Sequence, residues 1–373
     1  MTLIGRTEER EAFLVLEDGS VHRGYAFGEV GAEAIGEVVF NTSMVGYQEM
    51  LTDPSYGGQI LVPTYPLQGN YGINDRDVES SRIQVRGFVV REACDLPSNR
   101  LSTRTLDDFL RDEGVPGIYG VDTRALTRRI RMAGVMMGII TTEGSPEEAL
   151  TRLREAPDYG SLDLVSEVIT ASPYEWTEGP GELPPDAPHI VVMDEGLKYN
   201  ILRLLRRRGC AVTVVPSSTS FDDVMALRPS GVLLSPGPGD PALLEGVVQT
   251  AGGLLGRLPV MGICLGHQVV ARALGGQTYK LKFGHRGGNH PVKDLATDLV
   301  TITAQNHGYA VDPDGLPTGL DVSHINLNDN TVEGLTHREM PLLTIQYHSE
   351  ASPGPLDNEY LFDRFLDLIR EYR

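Results

Sequence analysis

Cysteine is scarce, with Cys94, Cys210 and Cys264 the only three among 373 residues. An odd number at wide spacing supplies neither a disulfide framework nor a C-x-x-C zinc site, so all three read as thiols. Long apolar runs are also missing. No window approaches the 18 or so uninterrupted apolar residues of a membrane span, and the opening "MTLIGRTEER" lacks a basic stretch leading into an apolar core. A cytoplasmic protein with no membrane association is expected. Basic charge is in deficit, Lys+Arg 32 against Asp+Glu 51 for a net charge of -19. That field repels nucleic-acid phosphates and anionic lipid, so no nucleic-acid partner is expected. No G-x-x-x-x-G-K-[ST] phosphate loop occurs, and there is no internal repeat or low-complexity tract.

What is present is ordinary globular composition, 40% hydrophobic and 22% charged, at a length that suggests two or three domains. Residues 1–144 read as a β-rich N-terminal domain. Short β-type runs at Phe13 to Gly24 and Glu37 to Phe40 are followed by a segment dense in turn formers and Tyr (Asn41 to Gly72), expected to form long ordered loops. Two helices follow, "TLDDFLRDEG" and "DTRALTRRIRMAG", the second starting at an Asp cap and stopping at Gly134. Residues 145–187 read as a connector: one helix (Pro146 to Glu155), then a stretch rich in Pro, Gly and acid in which Trp176 is a packing anchor.

From residue 188 to 373 the rhythm becomes strand, helix, strand, helix with short joins. This predicts an α/β domain with a mostly parallel sheet covered on both faces by helices. Its ligand site should lie outside the carboxyl ends of the strands.

One cysteine falls on such an end. In "VMGICLGHQVV" a short apolar run leads into Gly262-Ile263-Cys264-Leu265-Gly266 and then a helical pattern. Glycines on either side remove Cβ atoms where strand, thiol and helix crowd together, the arrangement of a nucleophile elbow. A helix N-terminus also lowers a thiol pKa and offers N–H groups to an oxyanion. Read locally, Cys264 is either a nucleophile or a small buried hydrophobe. A nucleophile needs a base, and seven of the nine histidines lie beyond residue 264. In "PLLTIQYHSEASPGP" an apolar strand runs out into His348-Ser349-Glu350. Residues i and i+2 of an extended segment face the same way, so Glu350 can accept the His348 ring N–H and fix its tautomer. "LLSPGPGDPALL" adds Gly237 and Gly239, which let backbone approach a ligand. As a dinucleotide fingerprint it fails, because no acid follows about 20 residues on.

Together these residues resemble the class I (triad) glutamine amidotransferases, in which an elbow Cys and a His-x-Glu strand end hydrolyse the side-chain amide of glutamine. More narrowly, "KLKFGHRGGNHPVKD", "TAQNHGYAVD", "HSEASPGP", "FNTSMVGYQEMLTDPSY" and "GVDTRALTRRIR" resemble the small, glutamine-hydrolysing subunit family of carbamoyl phosphate synthetases. The resemblance covers nearly the whole length. It implies Cys264 as nucleophile, His348 as acid/base and Glu350 as its orienting partner. It implies that the backbone of Gly237 and Leu265 holds the oxyanion, that Gly239, Gln268, Asn306, Gly308 and Tyr309 line the glutamine pocket, and that Ser43 reaches the substrate across the domain interface. Many relatives carry Pro where Ser349 stands, a departure between the paired residues rather than at either of them. The resemblance also implies a large synthetase subunit as partner, holding the ATP and Mg2+ chemistry that makes carbamoyl phosphate for pyrimidine and arginine biosynthesis. No cofactor is then expected on this chain.

The rival readings are the amidotransferase component of a synthetase making GMP, anthranilate or CTP, and a non-catalytic scaffold of the same fold. Intact Cys264, His348 and Glu350 speak against the scaffold. His285 and His290 lie in a Gly-rich loop without Cys or Asp at ligand spacing, so no metal is assigned. His267 and His307 read as pocket walls, and "RLLRRRG" and "RRIR" as solvated or ion-paired helix faces.

Overall fold

A computed structural model describes residues 9–372; the opening segment read above, Met1 to Glu8, lies outside them. The chain divides into two compact units, one ending at Leu162 and the other starting at Asp163.

The first unit contains β1 (Glu11–Leu16), β2 (Val21–Gly28), β3 (Ala34–Asn41), α1 (Tyr47–Thr52), β4 (Gln59–Pro63), β5 (Leu67–Gln68), β6 (Gly87–Val89), β7 (Glu92–Ala93), α2 (Leu106–Asp112), β8 (Pro116–Tyr119), α3 (Thr123–Ala133), β9 (Met136–Thr141) and α4 (Pro146–Glu155). Seven of the strands close a barrel in the order β1-β2-β8-β6-β4-β3-β9, while β5 and β7 form a separate pair. Alternate residues of β1 go to opposite faces, as strand pleating requires. Phe13 and Val15 pack against Ala149 and Leu153 of α4, and Leu14 and Leu16 are buried on the other side. The Asp cap of α3 is in place, Asp122 accepting from Ala125 N–H, and Gly134 ends the helix. The segment 41–72 is more regular than long loops: it holds α1, a 3-10 turn at Pro54–Tyr56 and β4. The segment read as a connector begins with the expected helix. Its helix α4 starts on a Ser145–Glu148 capping box and belongs to the barrel unit.

The second unit contains α5 (Val165–Val168), β10 (Tyr174–Glu175), β11 (His189–Asp194), α6 (Tyr199–Arg207), β12 (Ala211–Pro216), α7 (Phe221–Ala226), β13 (Gly231–Leu234), α8 (Glu245–Leu254), β14 (Val260–Ile263), α9 (Leu265–Ala273), β15 (Thr278–Asp294), β16 (Val300–Val311), β17 (Leu320–Asn326), β18 (Val332–His337), β19 (Leu342–Ile345) and α10 (Tyr360–Tyr372). They build a ten-stranded sheet, β10-β12-β11-β13-β14-β19-β18-β17-β15-β16. From β12 to β19 the pairing is parallel. Both faces of this part are covered. Ile190 and Val192 of β11 join the cluster under α6 and α10, and Val191 and Met193 join the one under α7, α8 and α9. Beyond β19 the sheet continues as an antiparallel wing of β18, β17, β15 and β16, which strand and helix alternation did not foretell. At the opposite edge β10 pairs with β12, and Trp176 packs against Tyr199 with ring centroids 5.1 Å apart.

Candidate active site

Strand β14 ends at Ile263 between β13 and β19, and the chain turns at once into α9. Cys264 is the turning residue, with φ 53° and ψ -105°, a backbone conformation that L residues rarely adopt and that is held here from both sides. Its N–H donates to Ile345 C=O at 2.8 Å, and Gly266 N–H donates to Ser235 C=O at 3.1 Å. Gly266 admits no side chain, since a Cβ there would lie 2.3 Å from Leu234 O. The Cys264 sulfur is buried and directed at Asn306 C=O, 3.6 Å away. Leu265 opens α9, where the first backbone N–H groups have no partner within the helix.

His348 lies just past β19, its own N–H bonded to Ala304 C=O at 2.9 Å. Its Nδ1 meets Glu350 Oε1 at 2.7 Å, and both residues are buried. That pair faces one way, as the i, i+2 spacing predicts. With Nδ1 engaged, Nε2 is the ring nitrogen left for chemistry. By strict donor and acceptor geometry it has no partner among the described residues, yet the Cys264 sulfur is close enough to act on the ring by charge and by weak hydrogen bonding. Burial alone would lower the His348 pKa, but the Glu350 carboxylate first and the neighbouring Cys264 second override it and push it up to about 10. Burial would likewise raise Glu350, yet Lys198 first and His348 second bring it down to about 2. The imidazolium and carboxylate forms are thus mutually stabilised in a place that water does not reach.

Lys198 is the residue that sequence reasoning missed. Its Nζ donates to Glu350 Oε1 at 3.0 Å and to Ala351 C=O at 2.5 Å, and Asn200 Nδ2 donates to Glu350 C=O at 2.5 Å. One signal was available: lysine occupies the N-cap of α6, without a side-chain capping bond, where Ser, Thr, Asp or Asn is preferred.

The other predicted residues fall as follows. Gly237 follows β13 and touches backbone, a Cβ there lying 2.0 Å from Glu195 O and 2.8 Å from Leu265 Cδ2. Gly239 has φ +90°. Gln268, on the first turns of α9, donates through Nε2 to Tyr309 C=O at 2.8 Å and to Gln346 Oε1 at 2.9 Å. Asn306, Gly308 and Tyr309 are on β16, where the Asn306 carbonyl lies beside the thiol and the Tyr309 carbonyl accepts from Gln268. Ser43 stands on the turn after β3 in the barrel unit, its N–H bonded to Asn41 Oδ1 at 2.7 Å; its assignment rests on the resemblance alone. His267 is fully buried on Thr344 Oγ1 at 2.9 Å, and burial lowers its pKa to about 3, so it is neutral.

Residues 14–140 match the family model for the carbamoyl-phosphate synthase small chain, CPSase domain, and residues 191–368 that for glutamine amidotransferase class-I. A carbamoyl phosphate synthase small chain from Syntrophotalea carbinolica is 54% identical, covering 97% of this chain and 99% of that one. The chain belongs to the carbamoyl phosphate synthase small chain family. Family members from Methanopyrus kandleri (52% identical) and Aquifex aeolicus (48% identical) each cover 97% of this chain and 99% of their own length. Both halves of the small chain family are therefore represented, the barrel unit by the first model and the parallel sheet by the second. No helix among the described residues is long and apolar enough to cross a membrane.

Proposed function

We propose that this chain hydrolyses glutamine for a carbamoyl phosphate synthase, with Cys264 as nucleophile, His348 as acid/base and Glu350 as the group that orients the ring. The observation that carries this reading is the buried 2.7 Å contact between His348 Nδ1 and Glu350 Oε1, with the Cys264 thiol held at a strained corner beside it. The sulfur, as thiolate, attacks the carboxamide carbon; a C–S bond forms and the C–N bond breaks. His348 gives its Nε2 proton to the departing ammonia, leaving a thioester to glutamate. Water, deprotonated by His348, then attacks the thioester and releases glutamate and the thiol. The oxyanion of each tetrahedral intermediate falls to the backbone N–H groups of Gly237 and Leu265. Gly239, Gln268, Asn306, Gly308 and Tyr309 form the glutamine pocket, and Ser43 is taken as a further glutamine-binding residue on the family resemblance alone.

Ammonia is protonated in water near neutral pH, so it is passed by a water-poor route to a large subunit that makes carbamoyl phosphate from bicarbonate. ATP and Mg2+ act on that subunit, and this chain needs no cofactor of its own. In this reading the chain acts in the cytoplasm, at the entry to pyrimidine and arginine biosynthesis. The test is Cys264→Ser in complex with the large subunit. Glutamine-dependent synthesis should fall by at least about 10^3-fold while synthesis from added ammonia persists. Undiminished glutamine turnover would remove Cys264 from its role.

A further inference from the structure

The antiparallel wing gathers a second group of buried polar side chains. His285 on β15, His307 on β16 and Glu333 on β18 each offer one donor atom, and the three atoms lie within 4.8 Å of one another. Hydrogen bonds decide which atoms face inward. His285 Nε2 lies 2.8 Å from Asp329 Oδ2, so that nitrogen carries the proton. Its Nδ1 stands 3.6 Å from Glu333 Oε1, too long for a good hydrogen bond, although burial, which would lower the His285 pKa, is outweighed by Asp329 and Glu333, which carry it up to about 9. His307 Nδ1 lies 2.7 Å from Tyr309 C=O, which can only accept, so Nε2 presents a lone pair. That lone pair faces Gln305 Oε1, another acceptor, at 3.0 Å. Gln305 cannot simply turn over. Its Nε2 donates to Glu333 Oε2 at 2.9 Å and to Thr303 Oγ1 at 3.0 Å, and a flipped amide would set its oxygen against the carboxylate. Two acceptors this close repel unless a positive centre lies beside them.

We propose that His285 Nδ1, His307 Nε2 and a Glu333 oxygen bind one divalent ion of the zinc class, with Gln305 Oε1 placed to be a fourth ligand. Two imidazoles and two oxygens are a borderline donor set that suits such an ion. Each ligand already has the outer partner that metal sites use: Asp329 behind His285, Tyr309 C=O behind His307, and Asn326 Nδ2 on Glu333 Oε1 at 2.8 Å. Ligands about 2.0–2.1 Å from zinc in a tetrahedron sit roughly 3.3 Å apart, so the donors draw in on binding. The ion ties β15, β16 and β18 together one residue from Asn306, whose carbonyl receives the Cys264 thiol. It is a brace for the strand that carries the candidate pocket, and no step of the proposed hydrolysis uses it. The sequence reading, which set His285 beside its loop neighbour His290, assigned no metal; the partners come from two other strands.

The competing occupant is a proton on His285, held between Asp329 and Glu333. The test uses the untagged full chain carrying Cys264→Ser, which removes the active thiol as a rival ligand. The protein is stripped with chelator, loaded with Zn2+ or Co2+, and freed of excess ion. About one zinc per chain by mass spectrometry and the visible absorption of tetrahedral Co2+ are expected. His285→Ala and Glu333→Gln should each weaken zinc affinity at least about tenfold, the scale of a lost metal-site partner, and His290→Ala should leave it unchanged. No retained zinc and no Co2+ spectrum in the Cys264→Ser chain would leave the proton as sole occupant and overturn the site. Uptake unaltered by His285→Ala and Glu333→Gln would overturn it as well. The Co2+ spectrum needs no change in the wing, so the proposal stays open to refutation even if those variants do not fold.

Discussion

Lys198 and Glu350 form a buried ion pair, 3.0 Å long with both side chains almost wholly excluded from water. Removing one partner of such a pair leaves a charge without solvent or counterion, which costs far more than the pair contributes. Lys198→Met should therefore destabilise the protein by about 3–5 kcal/mol, read as a lower urea midpoint. Because Lys198 is the main group holding Glu350 ionised, glutamine turnover should fall more in kcat than in KM. A variant with normal stability and normal kcat would show the pair to be idle. Glu195 is the opposite case. It is fully buried, neither carboxylate oxygen has a partner among the described residues, and burial followed by the charge of Asp194 raises its pKa well above the ordinary glutamate value. An acid whose folded pKa exceeds its unfolded one takes up a proton on folding. It subtracts stability as pH rises past the ordinary glutamate range and subtracts none below it. Glu195→Gln should thus raise the melting temperature at pH 7 but not at pH 4. An equal shift at both pH values would contradict the buried neutral acid.

Among the elements, α9 is positioned by contact rather than by capping. Its N-cap is Cys264, which makes no side-chain capping bond, so the helix start is fixed by how closely Gly262 and Gly266 let the backbone pack. A Cβ on Gly262 would lie 2.8 Å from Gly266 O, and one on Gly266 would lie 2.3 Å from Leu234 O. Both obstacles are backbone atoms and cannot swing aside. Gly266→Ala should destabilise by at least about 1–3 kcal/mol and displace the thiol, so that alkylation of Cys264 by a glutamine-like electrophile slows even where the protein still folds. Alkylation at the unchanged rate would mean that the turn tolerates a side chain. The barrel helices behave differently. Helix α3, capped by Asp122 and stopped at Gly134, and α4, with its Ser145 capping box, carry their limits in local chemistry, which is why they were legible in the sequence.

At the scale of the whole molecule, each unit has its own core. The clusters around Phe27, Phe88 and Phe109 and around Phe13 and Ile139 draw only on the first unit, and those on the two faces of the parallel sheet draw only on the second. A core complete within its unit is what independent folding requires. The fragment from Asp163 to Arg373 should therefore give native-like circular dichroism and a single cooperative urea transition. A broad, non-cooperative loss of signal would show that its core depends on the first unit. The basic helix faces stay at the surface, with Arg128, Arg129 and Arg131 exposed, and form single ion pairs there: Arg129 meets Asp18 at 2.6 Å and Arg208 meets Asp363 at 2.8 Å.

The amino-acid sequence by itself determined what depends on neighbours along the chain. Strand and helix alternation from residue 188, the caps, the glycines around Cys264 and the same-side placement of His348 and Glu350 all follow from periodicity, backbone permissiveness and the pleat of an extended segment. Tertiary structure alone decided what depends on distant partners. Lys198 reaches Glu350 across 152 positions, His285 meets His307 and Glu333 only because β15, β16 and β18 lie in one antiparallel wing, and the connector's first helix is claimed by the barrel through Ala149 and Leu153. The physical reason is that local pattern fixes which face a residue presents, while burial, charge and the pairing of remote strands fix what that face meets.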